Sequence, residues 1–461
     1  MKLGWKPPLF ALLLTLPAAV WSQDHGAQIA SAEGRGPVSL SLKHAVELAT
    51  SPEGSAKIQL SGEALKQAQT RAAQARAALL PDLEAAFSEQ SRMVNLAAQG
   101  FNSSLFKIPI PGFSLSIPSV VGPFNVMDAR LNGTQSVFDF SSIRRFQASK
   151  VGVSAAKSDL ETSGEQVAAE VARAYLAAIR ADADVETAQA NVTLSQAVLT
   201  QAENQKKAGT GTGIEITRAR VQLANDRQHL LVTQNARRSA HLQLLRAMGL
   251  RLDTELELTD KLAYTPVDAL TLEEAKAQAL KGRPDLQAQR ERESNARLSA
   301  SATRLERLPS VAAFGDYGSI GTGLTNALPT RDYGLSVKVP LFDGGRRDAR
   351  RAESTSQYRS EQVRTGDLKE QIELDVRLAL DGLQSAEDQV KVAKEGLDLS
   401  DNELTQARRR YEAGVANSLE VTDAQTRLER ARDNQTQALY NYNLARIDLA
   451  QAMGATRRTI Q

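Results

Sequence analysis

The sequence predicts a mainly α-helical fold in which one long helical hairpin occurs twice, each copy preceded by a pair of strands. Three observations carry this. The first is a self-match at an offset of 205 residues. Val376, Leu383, Val390, Leu397, Leu404 and Tyr411 fall seven apart, and a small residue (Ala379, Ala386, Ala393, Ser400, Ala407) follows three positions after each of the first five. Moved back by 205, the large series becomes Val171, Ala178, Val185, Val192 and Leu199. The small series becomes Ala174, Ala181, Ala188, Ser195 and Ala202, with serine at the same step. A period of this length is the mark of a repeated supersecondary unit. The second observation is the spacing of proline, which is absent between Pro123 and Pro266 and again after Pro340. Proline breaks helix interiors, so these two windows are where very long helices can run. The third is composition: only 5% of residues are aromatic, which suits thin helices packed on one another rather than a thick core.

Taken in order, residues 1–22 read as a secretory leader. Lys2 and Lys6 precede an apolar stretch over 9–21, and Val20 and Ser22 supply small residues before Gln23. The apolar stretch is too short for a transmembrane helix. The first repeat, 23–249, holds a helix over 56–80, strands near 83–93 and 126–138, and helices over 142–207 and 215–248. A short polar linker is expected over 250–271. The second repeat, 272–461, holds a helix over 285–308, strands over 311–319 and 333–342, and helices over 346–411 and 419–453. Helices of about 65 residues would be on the order of 100 Å long.

The strands alternate with period two. Tyr333, Leu335, Val337 and Val339 fall on one face, and Gly334, Ser336 and Lys338 on the other. In the first repeat Arg130, Asn132, Thr134 and Ser136 form a polar face opposite Ala129, Leu131 and Val137. Such a pattern fits a membrane barrel and equally a half-buried soluble sheet. The first strand pair is joined by a long loop over 95–125 that contains four prolines, the second by a shorter one over 320–330.

The alternating large and small seam lets two helices approach closely, knobs into holes. Gly209 and Gly414 sit where the long helices must stop, because glycine takes the left-handed cap conformation cheaply. Glu215 and Glu420 then fall in the first turn of the following helix, where carboxylates are favoured. Each hairpin therefore has a tip at one end and strands at the other, the geometry of a hollow tube.

Other chemistry is missing. The chain has no cysteine, hence no disulfide or thiolate metal site. His25, His44, His229 and His241 do not pair at helical metal spacing. The glycine-rich stretches 209–213 and 315–323 lack the lysine and the strand–loop–helix setting of a phosphate cradle. The net charge of +2 includes two leader lysines, so nothing points to nucleic acid. No cofactor, metal or catalytic constellation is expected.

At this point the chain resembles the outer-membrane efflux protein family, the TolC-like channels. The resemblance rests on the duplication, on Pro340-Leu341-Phe342-Asp343-Gly344-Gly345-Arg346, on Tyr411-Glu412-Ala413-Gly414, and on Ser418-Leu419-Glu420-Val421-Thr422-Asp423-Ala424-Gln425. It implies a homotrimer in which each chain gives four strands to one twelve-stranded β-barrel in outer-membrane lipid, the helices forming a tunnel through the periplasm. A lone protomer would leave sheet edges open in lipid, which is not viable. The resemblance also implies a passive exit duct served by a periplasmic adaptor and an inner-membrane pump. Arg130, Asn132, Thr134, Ser136, Ser336 and Lys338 would then face the barrel lumen.

By the family's pattern the tips form an iris with an acidic ring at Glu420 and Asp423, favouring cations and open to divalent block. Tyr411 and Glu215 take two latch positions at the tips, beside Gly209, Gly414 and Ser418. The third latch position, expected to be basic, is Ala416, with Arg218 or Lys207 as substitutes. Arg218 stands where the second repeat has Asp423, so the acidic ring is not duplicated. The rival expectation is a soluble periplasmic coiled-coil scaffold or adaptor.

Overall fold

The computed structural model describes residues 38–100, 118–267, 270–323, 325–413, 415–416 and 418–460. The expected leader, Gly414, the side chain of Ser418 and residues 101–117 of the expected 95–125 loop lie outside the described residues, while 120–125, expected in that loop, belong to a strand that begins at Val120 and pairs with the strand before it.

The chain opens with β1 (Val38–Leu40), α1 (Leu42–Thr50) and α2 (Ala56–Ala77). The strand pair β2 (Asp82–Asn95) and β3 (Val120–Phe138) follows, then α3 (Phe140–Lys207) and α4 (Gly213–Met248). After β4 (Leu256–Leu258) and α5 (Leu272–Gly282) the order repeats: α6 (Pro284–Leu305), β5 (Ser310–Gly321), β6 (Leu328–Lys338), α7 (Arg346–Glu412) and α8 (Ser418–Ala452), with α9 (Thr456–Ile460) at the end. The long helices α3 and α7 have 68 and 67 residues, about 100 Å each at 1.5 Å per residue.

Each heptad seam lies where hairpin partners meet. In α7, Val376, Val390, Leu404 and Tyr411 are buried with Ala386 and Ala407. In α3, Val171, Ala178 and Leu199 are buried with Ala181, Ala188, Ser195 and Ala202. Gly209, at φ +81°, ends α3, and the amides of Thr210 and Gly211 fold back on the Gln205 carbonyl at 3.0 and 3.1 Å. Helix α3 packs against α4 on one side and α8 on the other, and α8 packs in turn on α7. The helical layer thus runs α4–α3–α8–α7, with α4 and α7 at its edges.

The sheet runs β2–β3–β5–β6, antiparallel throughout, with β2 and β6 at its edges. Two differences from the sequence reading concern β6. It begins at Leu328, earlier than the expected 333, because Pro329 is tolerated on an edge strand. It ends at Lys338, before Pro340, whose nitrogen cannot donate to a ladder. Val339 therefore lies outside the strand.

Within 250–271, β4 pairs in parallel with β1 in a small second sheet that three-residue strands did not betray in the sequence. This sheet caps a core of Leu40, Val46, Val167, Val171, Leu244 and Met248. The buried Tyr175 hydroxyl lies 2.8 Å from both the Leu40 carbonyl and Asp260 Oδ2 and shares its single proton between these two acceptors. Burial, and then the Asp260 carboxylate, raise its pKa.

Candidate functional site: a two-faced sheet and a helical tip

The ladder register sorts the sheet residues into two faces. Ser136 lies opposite Ala312, which lies opposite Ser336; Asn132 lies opposite Asp316; Ser310 lies opposite Lys338. Cross-strand partners share a face, so Arg130, Asn132, Thr134, Ser136, Ser336 and Lys338 all fall on one side. Arg130 is held there by Asp128 at 2.9 Å and by Asp316 on the next strand at 3.0 Å. The other face carries Leu83 and Phe87, then Leu131, Tyr317, Tyr333, Leu335 and Val337, all exposed in the single chain. A sheet with a polar face and an exposed apolar face is suited to lipid on one side and water on the other.

The tips lie at the far end of the long helices. Helix α4 opens with a capping box in which Thr212 is the N-cap and Glu215 reaches back to the Thr212 amide at 3.0 Å. Tyr411, only 7% exposed, donates its hydroxyl to Gln205 Oε1. Burial raises the Tyr411 pKa, and the charge of nearby Glu215 raises it further. The structure thus brings Tyr411 and Glu215 to one tip, but the partner that Tyr411 bonds is Gln205. The sequence reading did not single out Gln205; its only signal was its place one turn before Gly209.

Glu420 faces Arg410 of the preceding helix, Oε1 to Nε 3.0 Å. Asp423, one turn further along α8, is exposed. Arg218 is exposed on α4, and Ala416 is half-buried. The expected acidic pair therefore stands on one stretch of α8, with a guanidinium beside its first member that the sequence reading had not placed there.

Two stretches, residues 53–250 and 276–455, match the outer membrane efflux protein family. The chain belongs to that family. It is 24% identical over 459 residues to the pyoverdine export outer membrane protein OpmQ of Pseudomonas putida, covering 98% of this chain and 91% of that one. It is 24% identical over 384 residues to the toluene efflux pump outer membrane protein TtgF of Pseudomonas putida, covering 79% and 76%. Its fold is similar to that of the CmeC outer membrane channel of Campylobacter jejuni, with a TM-score of 0.76, 16% identity, and 90% and 86% of the two chains covered. The protein is accordingly an outer-membrane transport protein with a periplasmic helical extension, and not an enzyme. The rival of a soluble periplasmic scaffold falls with this membership. Among the described residues no helix is long and apolar enough to cross a membrane.

Proposed function

We propose that the protein is the passive exit duct of a tripartite efflux or type I secretion system, that it works as a homotrimer, and that its helix tips gate it. The observation that carries this is that both layers have open edges of the same kind. The sheet leaves the outer edges of β2 and β6 unpaired, and the helical layer leaves α4 and α7 at its margins. Unpaired strand edges cannot stay in lipid. Two copies would give eight strands, a barrel whose interior is filled by side chains. Three copies give twelve, which leaves a lumen lined by Arg130, Asn132, Thr134, Ser136, Ser336 and Lys338.

The internal repeat supports how the helical ring closes. Leu194 of the first hairpin packs against the cluster of Leu404, Tyr411, Val421 and Leu428 in the second. Its counterpart 205 residues on is Leu399, which is 64% exposed. The counterpart cluster is Leu199, Ile216, Ala219 and Leu223. In the ring, Leu399 meets that cluster on the next copy.

The tube holds no energy source, so an inner-membrane pump and a periplasmic adaptor docking on the tips drive transport. One relative is named for pyoverdine export and another for toluene efflux; a water-filled tube suits both. Three copies of Glu420 and Asp423 gather carboxylates at a narrow mouth, with Arg410 moderating the first. Tyr411, Glu215 and Gln205 hold the tip beside Gly209, and Arg218 supplies a cation on the neighbouring helix. The test is conductance of the purified protein in planar bilayers, wild type beside Glu420→Ala/Asp423→Ala. A small, cation-preferring conductance blocked by divalent cations is expected, with preference and block both weakened in the double variant. Unchanged selectivity and block would remove the acidic gate from this account.

A further inference from the structure

Helices α3, α4 and α8 line a partly open cavity of about 450 Å³ in the helical body, within the size range of small-ligand sites. It is remote from the tip: Asn191 on its wall is sixteen residues before the end of α3, roughly 24 Å along the helix. Arg180 and Asp184 reach it from α3, Asp226 and His229 from α4, and Glu429, Arg430 and Asp433 from α8. Arg180 Nε is 3.7 Å from Asp184 and its guanidinium lies over the Tyr440 ring at 5.2 Å. Asp226 accepts from Ser195 Oγ and from Gln222 Nε2 at 2.9 Å. Gln425 Nε2 donates to Ser195 at 3.1 Å and to Glu429 at 3.5 Å. Burial, and then the charge of Asp226, push the Glu429 pKa to about 7, with Asp433 adding to the rise and Arg432 opposing it. Burial also raises Asp184 and Asp433, against the opposing charges of Arg180 and His229.

A second observation is independent of this cluster. Asn191 is 7% exposed, lines the cavity, and its Oδ1 has no donor. An unpaired buried amide oxygen is costly, and Arg180 Nε on the same wall is likewise buried without a hydrogen bond. The carboxylates of Asp184, Asp226, Glu429 and Asp433 outnumber the guanidinium groups of Arg180 and Arg430, so Asn191 still needs a donor and the carboxylates a further cation. The set is also particular to this place. At the 205-residue offset, Asp184, Asn191, Asp226 and His229 correspond to Gln389, Gly396, Ala431 and Asn434. The last four line an open groove between α7 and α8. The repeat supplied the space, and the positions of Asp184, Asp226 and His229 are uncharged in the second copy.

Among the described residues no three His, Asp or Glu side chains converge as metal ligands do. The carboxylates stand apart on three helices, as a multi-donor organic cation requires. We propose that this cavity binds a small amine cation of the di- or polyamine class, whose N–H groups bridge the carboxylates of α3, α4 and α8 and satisfy Asn191, bracing the two hairpins against each other. Ammonium binding beside Glu429 favours its ionised form, so uptake of the cation releases a proton.

The test is isothermal titration of spermidine into the detergent-purified full-length protein at pH 7, in buffers of different ionisation enthalpy. One cation per chain is expected, with release of about half a proton, since a group titrating near pH 7 is half protonated there. Glu429→Gln should abolish the proton release and weaken binding about tenfold, the loss of one charge-assisted bond. Asn191→Ala should weaken binding and leave the release intact. No binding of spermidine at millimolar concentration by protein of native circular dichroism would overturn the proposal. So would binding that neither substitution alters, or Mg²⁺ binding as tightly as spermidine.

Discussion

The two hairpins share one seam and differ in what lies across their other face. In the first, α3 is covered along its length by α2 and α6 near the sheet and by α4 and α8 toward the tip. Its repeat serine, Ser195, is 1% exposed and ties Asp226 of α4 to Gln425 of α8. In the second, the matching serine, Ser400, lines an open groove with Ala431, the counterpart of Asp226. Leu194 is packed while Leu399 is bare. A duplicated sequence thus yields one long helix, α3, covered on both sides by its own chain and one, α7, that keeps an open face. In the proposed trimer, the junction between hairpins inside a protomer is the template for the junction between protomers.

The strongest way to break this comparison is to charge the bare position. Leu399→Asp should abolish trimers on native gels and outer-membrane insertion, while the isolated chain keeps its helical circular dichroism. Normal trimers would show that Leu399 does not sit in the closing junction. The next contrast uses the two serines. Ser195→Ala removes a donor from buried Asp226 and the partner of Gln425, and should cost about 1–3 kcal/mol in denaturant unfolding. Ser400→Ala should cost about 0.5 kcal/mol or less, as surface changes do. Equal costs would mean that the two long helices are equally covered.

A smaller effect sharpens the contrast through pH. The folded-state pKa of Glu429, about 7, lies above that of an unfolded glutamate, so the fold binds the proton more tightly. The wild type therefore loses stability as pH rises from about 4.5 through 7. Glu429→Gln does not ionise. It should melt about 2–4 °C higher than wild type at pH 8 in the absence of amines and at the same temperature at pH 5. A uniform offset at both pH values would separate the effect from this titration.

The helices were legible because a seven-residue seam sustained from Val376 to Tyr411 and repeated 205 residues earlier has few competing explanations, and proline marked where it could not run. The strand faces were legible by period two, and the lumen set assembled from that alternation falls on one face. What escaped depends on contacts between distant parts. Strands β1 and β4 are three residues each, too short to show a period, and are held by Tyr175 and Asp260 from elsewhere in the chain. Gln205 and Arg410 are ordinary polar residues until the tip folds and places them against Tyr411 and Glu420. The acidic cavity draws on positions 184, 226 and 429, which no linear spacing connects. Only Ser195 hinted at it, as a polar residue kept at the same step of both seams.

The measurement that tests the account most directly is cross-linking between chains. Inside a protomer, Gln425 reaches Ser195; at the 205-residue offset these become Arg220 and Ser400. The protein has no cysteine of its own, so a chain carrying Arg220→Cys and Ser400→Cys offers only that pair to a flexible thiol cross-linker in intact outer membranes. The account predicts a ladder of one, two and three chains that stops at three, with neither single variant giving the third rung. Cross-links confined to one chain, or a ladder that runs past three, would contradict it.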